Sequence, residues 1–225
     1  MLSEPLAAPA GETRQLLRDG APVRIGDAHI PLGNMRDSSA LLHDTPALKR
    51  ELEEQGYLLL RSLIPPETVA DARTKLLMRL KELGRLLPDT PLDNAEIKGS
   101  IGVALFEPEL QASAPVRTAL ESPSLRELFE RLFCGPASTF SYKWLRAVGK
   151  EEFTGAHVDR VYMGRGSQSL MTAWIPLGTV PLEMGTIVVL PTSHRSSRFD
   201  ELRRGYGALD VDRDCPNDPL ASGHL

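Results

Sequence analysis

The sequence predicts an α+β protein, with helices first and an antiparallel sheet of jelly-roll type after them. Three observations carry that expectation. Between Thr45 and Phe133, apolar residues recur every three or four positions in runs that end at glycine. Beyond Ser138 the texture changes to short runs rich in β-branched and aromatic residues, separated by Gly or Pro. The composition, 41% hydrophobic and 25% charged, is that of a packed globular chain rather than a disordered one.

The first 45 residues scatter Pro, Gly and Asp without a sustained period and read as an arm, with a short strand expected at Val23–Ile30. Thr45-Pro46 opens a helix, with Thr45 as its cap and Pro46 at the first helical position. That helix runs to Gln55 and stops at Gly56. Tyr57–Arg61 follows as a short buried strand, ended by Pro65-Pro66. From Glu67 to Leu83, the residues Val69, Ala72, Leu76, Leu77 and Leu80 share one face of an amphipathic helix closed by Gly84. Ser122–Phe133 forms another helix, with Leu125, Leu128, Phe129 and Leu132 on its apolar face. Strands are expected at Thr139–Val148, Gly155–Met163, Ser169–Leu177 and Gly185–Leu190. A jelly roll needs about eight strands, and five or six can be counted, so the core is expected to be incomplete at its C-terminal end.

Charge and cysteine usage narrow the function classes. A formal charge of -4, with no basic run, gives no electrostatic footprint for nucleic acid. Cys134 and Cys215 form no CxxC pair, which argues against a zinc ribbon or disulfide framework and for free thiols in a reducing compartment. The N-terminus does not read as a signal peptide, and no apolar run approaches the ~20 residues of a membrane span. The expected setting is cytoplasmic, with a small-molecule substrate and no nucleic-acid or membrane partner.

The sharpest local feature is His157-Val158-Asp159. In an extended strand, residues i and i+2 project to one face, so an imidazole and a carboxylate stand side by side. They make two-thirds of the facial triad that holds Fe(II) while leaving positions open. The bland alternative, a surface histidine paired with an aspartate, is the commoner origin of an isolated H-x-D.

Its surroundings resemble the phytanoyl-CoA dioxygenase family over most of residues 47–196. The likeness rests on the opening Leu52-Glu53-Glu54-Gln55-Gly56-Tyr57-Leu58-Leu59-Leu60-Arg61, then His157-Val158-Asp159, then Trp174-Ile175-Pro176-Leu177. The apolar run Gly185–Leu190 follows, ending in Pro191-Thr192-Ser193-His194. The resemblance implies a double-stranded β-helix (cupin-like) core with covering helices, a family domain over 46–225, and Fe(II)/2-oxoglutarate-dependent hydroxylation of a small organic substrate. Ascorbate is the implied reductant. His157 and Asp159 would be metal ligands, and Trp174 would line the cosubstrate pocket. Lys143, and with it Arg146, could meet an acidic cosubstrate, although a solvated strand face is the plainer reading of both. His194 reads as structural, bonding backbone groups where its strand ends.

Two parts of the family pattern find no match: a later histidine ligand after a Gly-Asp turn, and an arginine beyond it to pair with the distal carboxylate of 2-oxoglutarate. Only His224 follows, with no strand pattern around it, so the chain reads as cut short at its C-terminal end. The competing expectation is an inactive shortened homologue, or a non-catalytic jelly-roll binding module.

Overall fold

The computed structural model describes residues 32–98, 108–147 and 157–214 apart from Arg165, Gln168 and Gly185, together with short paired strands between Arg14 and Leu32 and at Val103–Ala104. Three two-residue strand pairs precede the helices, all antiparallel: β1 (Arg14–Gln15) with β6 (Pro31–Leu32), β2 (Leu17–Arg18) with β3 (Ala21–Pro22), and β4 (Arg24–Ile25) with β5 (Ala28–His29). The single strand expected at Val23–Ile30 is thus two strands folded back on each other. Gly26-Asp27, residue types that favour turns, separates them in sequence.

Helix α1 spans Thr45–Gln55 as predicted, but its cap is Asp44, whose carboxylate accepts from the amide of Ala47 at 2.9 Å. An aspartate preceding Thr-Pro competes well for the cap because its charge also meets the positive end of the helix dipole. Helix α2 spans Pro66–Glu82, and its predicted face is buried at Ala72, Leu76, Leu77 and Leu80. Two further helices, α3 (Pro108–Gln111) and α4 (Ala114–Leu120), form where no helix was predicted. Helix α5 spans Pro123–Phe133, with the Ser122 hydroxyl accepting from the amide of Leu125.

Two apolar clusters hold these helices. In the first, α2 packs on α4 and joins Leu76, Leu77 and Leu80 to Val116, Leu110, Leu86, Leu145 and Ala147. In the second, Leu48 of α1 meets Leu128 and Leu132 of α5, with Leu41, Leu42, Leu58, Leu60 and Leu63 around them. Arg131 reaches from α5 to the carbonyl of Leu42 at 2.7 Å, and Ser124 to that of Leu63 at 2.7 Å.

The sheet differs from expectation. Of the predicted run Thr139–Val148, only β8 (Arg146–Ala147) forms a strand, antiparallel to β7 (Val103–Ala104). Tyr57–Arg61 makes one parallel bridge, from Leu59 to Asp37, instead of a strand. The described residues of Ser169–Leu177 and of the apolar run ending at Leu190 form no ladder. Within the run expected from Gly155 to Met163, Arg160–Met163 is a helical turn, α6. A strand requires a partner for its amides, whereas a turn satisfies them locally. Here the amides of Tyr162 and Met163 both donate to the carbonyl of Asp159, at 3.0 and 3.1 Å. Gly164 lets the chain leave this turn, because a Cβ there would lie 2.5 Å from the carbonyl oxygen of Arg160.

Two further helical turns, α7 (Asp200–Arg204) and α8 (Val211–Asp214), complete the described chain, and α8 packs on α6. Arg73 of α2 ties the later segments to the helices by donating to the carbonyls of Leu177 and Asp93, both at 3.0 Å. No described helix is long and apolar enough to cross a membrane.

Leu80 is 1% exposed at the centre of the first cluster. Replacing it with alanine is expected to lower unfolding stability by about 2–5 kcal/mol, read from urea denaturation. Met78→Ala, on the exposed side of the same helix, should cost less than about 0.5 kcal/mol.

Candidate functional site

His157 and Asp159 lie where irregular chain enters the turn of α6. Although the backbone is not a strand, the two side chains meet, with imidazole Nε2 and carboxylate Oδ1 3.2 Å apart. Each side chain is about one-third exposed. The Tyr162 ring stands edge-on to the imidazole, centroids 6.4 Å apart at 73°. Tyr162 was not predicted as a site residue, although the stretch Val161–Gly166 that contains it also resembles a bacterial-type branch of the family.

Cis ligands about 2.1 Å from an octahedral divalent ion sit roughly 3 Å apart. The 3.2 Å gap between Nε2 and Oδ1 is that of a histidine–aspartate ion pair and is also compatible with a shared ion, and the donor types, one imidazole and one carboxylate, suit iron. Among the described residues, no third His, Cys, Asp or Glu joins the pair. Two cavities elsewhere on the described surface, about 420 Å³ against the end of α5 and about 210 Å³ beside Leu86–Leu92, are not lined by either residue.

The other residues singled out from the sequence take distinct positions. Trp174 is exposed, at 48%. Lys143 is buried, and its ammonium donates to Glu121 Oε1 at 3.1 Å, to Thr139 Oγ1 at 3.2 Å, and to the carbonyl of Phe140. Those three bonds use every ammonium hydrogen. Glu121, which sequence reasoning passed over, also accepts from Arg117 at 2.8 Å. Hydrogen bonds from Arg117 and Lys143 hold its carboxyl below the usual carboxylate range. Arg146 lies in β8 with its guanidinium 4.8 Å above the Trp144 ring. His194 is bonded to backbone, as its turn position implied, although its partner is the carbonyl of Glu53 in α1. Cys215 and His224 lie outside the described residues.

The family profile described as Phytanoyl-CoA dioxygenase (PhyH) matches residues 52–218, and the chain belongs to that family. One relative, the 1-deoxypentalenic acid 11-beta-hydroxylase of Streptomyces arenae, is 28% identical over 166 residues, 71% of this chain and 58% of its own length. The enzyme of the same name from Streptomyces exfoliatus is 30% identical over 171 residues, 73% of this chain and 59% of its own. The chain thus spans under three-fifths of these relatives. No solved structure gives a significant match.

The Glu121 carboxyl titrates lower in the folded chain than its ordinary value of 4.5. Its stabilising contribution is therefore fully present above that value and is lost as pH falls through the lower folded value. Glu121→Gln should flatten this part of the acid limb of a stability–pH profile measured by urea denaturation. An acid limb unchanged by the substitution would show that the contacts of Arg117 and Lys143 with Glu121 contribute nothing.

Proposed function

We propose that this chain carries the metal-binding pair of a non-haem Fe(II)/2-oxoglutarate-dependent dioxygenase that hydroxylates a small organic substrate. The observation that supports this most is the 3.2 Å approach of His157 and Asp159 inside the span matched by the family. In this reading the imidazole and the carboxylate hold Fe(II) from one side. With 2-oxoglutarate and O2, the iron supplies the oxidising chemistry, and ascorbate keeps it reduced.

The protein's own contribution is orientation. Tyr162 stands edge-on to the imidazole beside Asp159. Trp174 offers an open aromatic face to cosubstrate or substrate. Lys143, as a contact for the cosubstrate carboxylate, would have to give up one of its present partners Glu121, Thr139 and Phe140. The substrate class is a small organic acid, following the names of the two Streptomyces relatives. A core of double-stranded β-helix type and a family domain over 46–225, preceded by an arm, belong to the same reading. So does a cytoplasmic setting, which suits the exposed free thiol of Cys134.

Among the described residues only two metal-binding groups converge, and that observation favours a second reading, a binding module without turnover. Anaerobic Fe(II) titration followed by a succinate assay separates the two. His157→Ala and Asp159→Ala are each expected to weaken Fe(II) binding by at least about tenfold, since removing even an outer partner of a metal site costs that much. Succinate formation that requires both Fe(II) and 2-oxoglutarate supports the enzyme. Fe(II) binding without succinate selects the module, and unchanged Fe(II) affinity in both variants overturns the proposal.

A further inference from the structure

The opening and closing motifs of the family resemblance touch in the fold. The amide of Thr192 donates to the carbonyl of Gln55 at 3.0 Å, and His194 Nε2 lies 2.8 Å from the carbonyl oxygen of Glu53, 141 residues away. A carbonyl only accepts, so Nε2 carries the hydrogen in this contact. Both acceptors belong to the last turn of α1, where carbonyls have no partner inside the helix. The end of α1 is therefore capped by a turn from the far end of the described chain.

Gly56 makes the contact possible. Its φ is +83°, in the left-handed region, and a Cβ there would lie 2.5 Å from His194 Nδ1 and 3.0 Å from Cε1. The imidazole thus lies directly over the glycine. The turn that carries it is itself held. Ser193 Oγ donates to the carbonyl of Leu190 at 2.8 Å, the amide of Ser196 donates to that of Thr192 at 2.9 Å, and the Arg203 guanidinium donates to the carbonyls of Ser193 and Ser196.

We propose that His194 is a clasp that fastens the apolar run 186–190 to the end of α1, and that it is not a metal ligand. One ring nitrogen is committed to Glu53 and the other faces Gly56, so the ring must leave both before either nitrogen can bind an ion. The run it anchors has no ladder of its own, and Ile187, Val188 and Leu190 are exposed. Fixing its C-terminal end at α1 is what sets its position. This inference goes beyond the oxygenase reading and stands whether or not the chain turns over substrate.

Amide hydrogen exchange followed by NMR on the whole chain tests it. In His194→Ala the exchange of the Thr192 and Ser196 amides should rise about tenfold, the loss expected for one hydrogen bond, while amides inside α2 keep their rates. His194→Gln should restore much of the protection, because its side-chain N–H can reach the same carbonyl. Gly56→Ala should raise the same amides' exchange, and should do less in the His194→Ala background, where its Cβ no longer meets a ring. Should His194→Ala not fold, Gly56→Ala and His194→Gln carry the comparison. Unchanged exchange at Thr192 in the folded variants overturns the clasp, as does a His194→Ala chain that keeps its exchange pattern and loses Fe(II) affinity.

Discussion

Helix α2 presses Leu76, Leu77 and Leu80 against Val116 of α4, and the described fold is arranged around that contact. It gathers residues from five places in the chain, because Leu86, Leu110, Leu145 and Ala147 all bury side chains against it. Each apolar side chain removed from water there contributes roughly 1.5–3 kcal/mol before entropy is counted. The contact also fixes the root of the segment that leads to the candidate site. Leu145 and Ala147 lie at β8, just ahead of it, and Arg73 on α2 holds Leu177 beyond it.

The candidate metal pair depends less on regular structure than its sequence pattern implies. Strand geometry is the usual way to bring residues i and i+2 to one face. Here the same meeting is achieved where chain enters a helical turn, with Asp159 at the start of α6 and His157 two residues earlier. What matters for an ion is the separation of the donor atoms, and 3.2 Å is short enough for both to bind one cation. The Lys143–Glu121–Arg117 group, buried at Lys143 and open to solvent at Arg117, is a separate electrostatic unit that ties the approach to β8 onto α4. Asp214, whose carboxyl is drawn down to about 2 chiefly by its hydrogen bond from Arg213, belongs to the α8 turn packed against α6.

The helices were legible because their information is local. Periodicity, glycine stops and proline starts place α1, α2 and α5 within a residue or two of where they lie. The error within them is also local: Asp44 caps α1 in place of Thr45. Helix α4 was missed because Ser113, Ala114 and Pro115 also suit a loop. The strands could not be read with equal security, since an apolar run states a preference and only a partner makes a ladder. Met171, Trp174, Ile187, Val188 and Leu190 therefore remain exposed although their sequence reads as buried strand. In the site, the pair His157–Asp159 was visible as a spacing. Tyr162, Glu121 and the meeting of His194 with Gly56 were not, because each is a contact that no spacing encodes.

The central claim is that His157 and Asp159 grip one divalent ion together. Paramagnetic broadening of backbone amide signals on anaerobic addition of Fe(II) tests it most directly. The account predicts that Val158, Asp159 and Arg160 broaden first and together, at the lowest iron concentrations. If these three signals stay sharp while amides elsewhere broaden, the pair does not hold the metal.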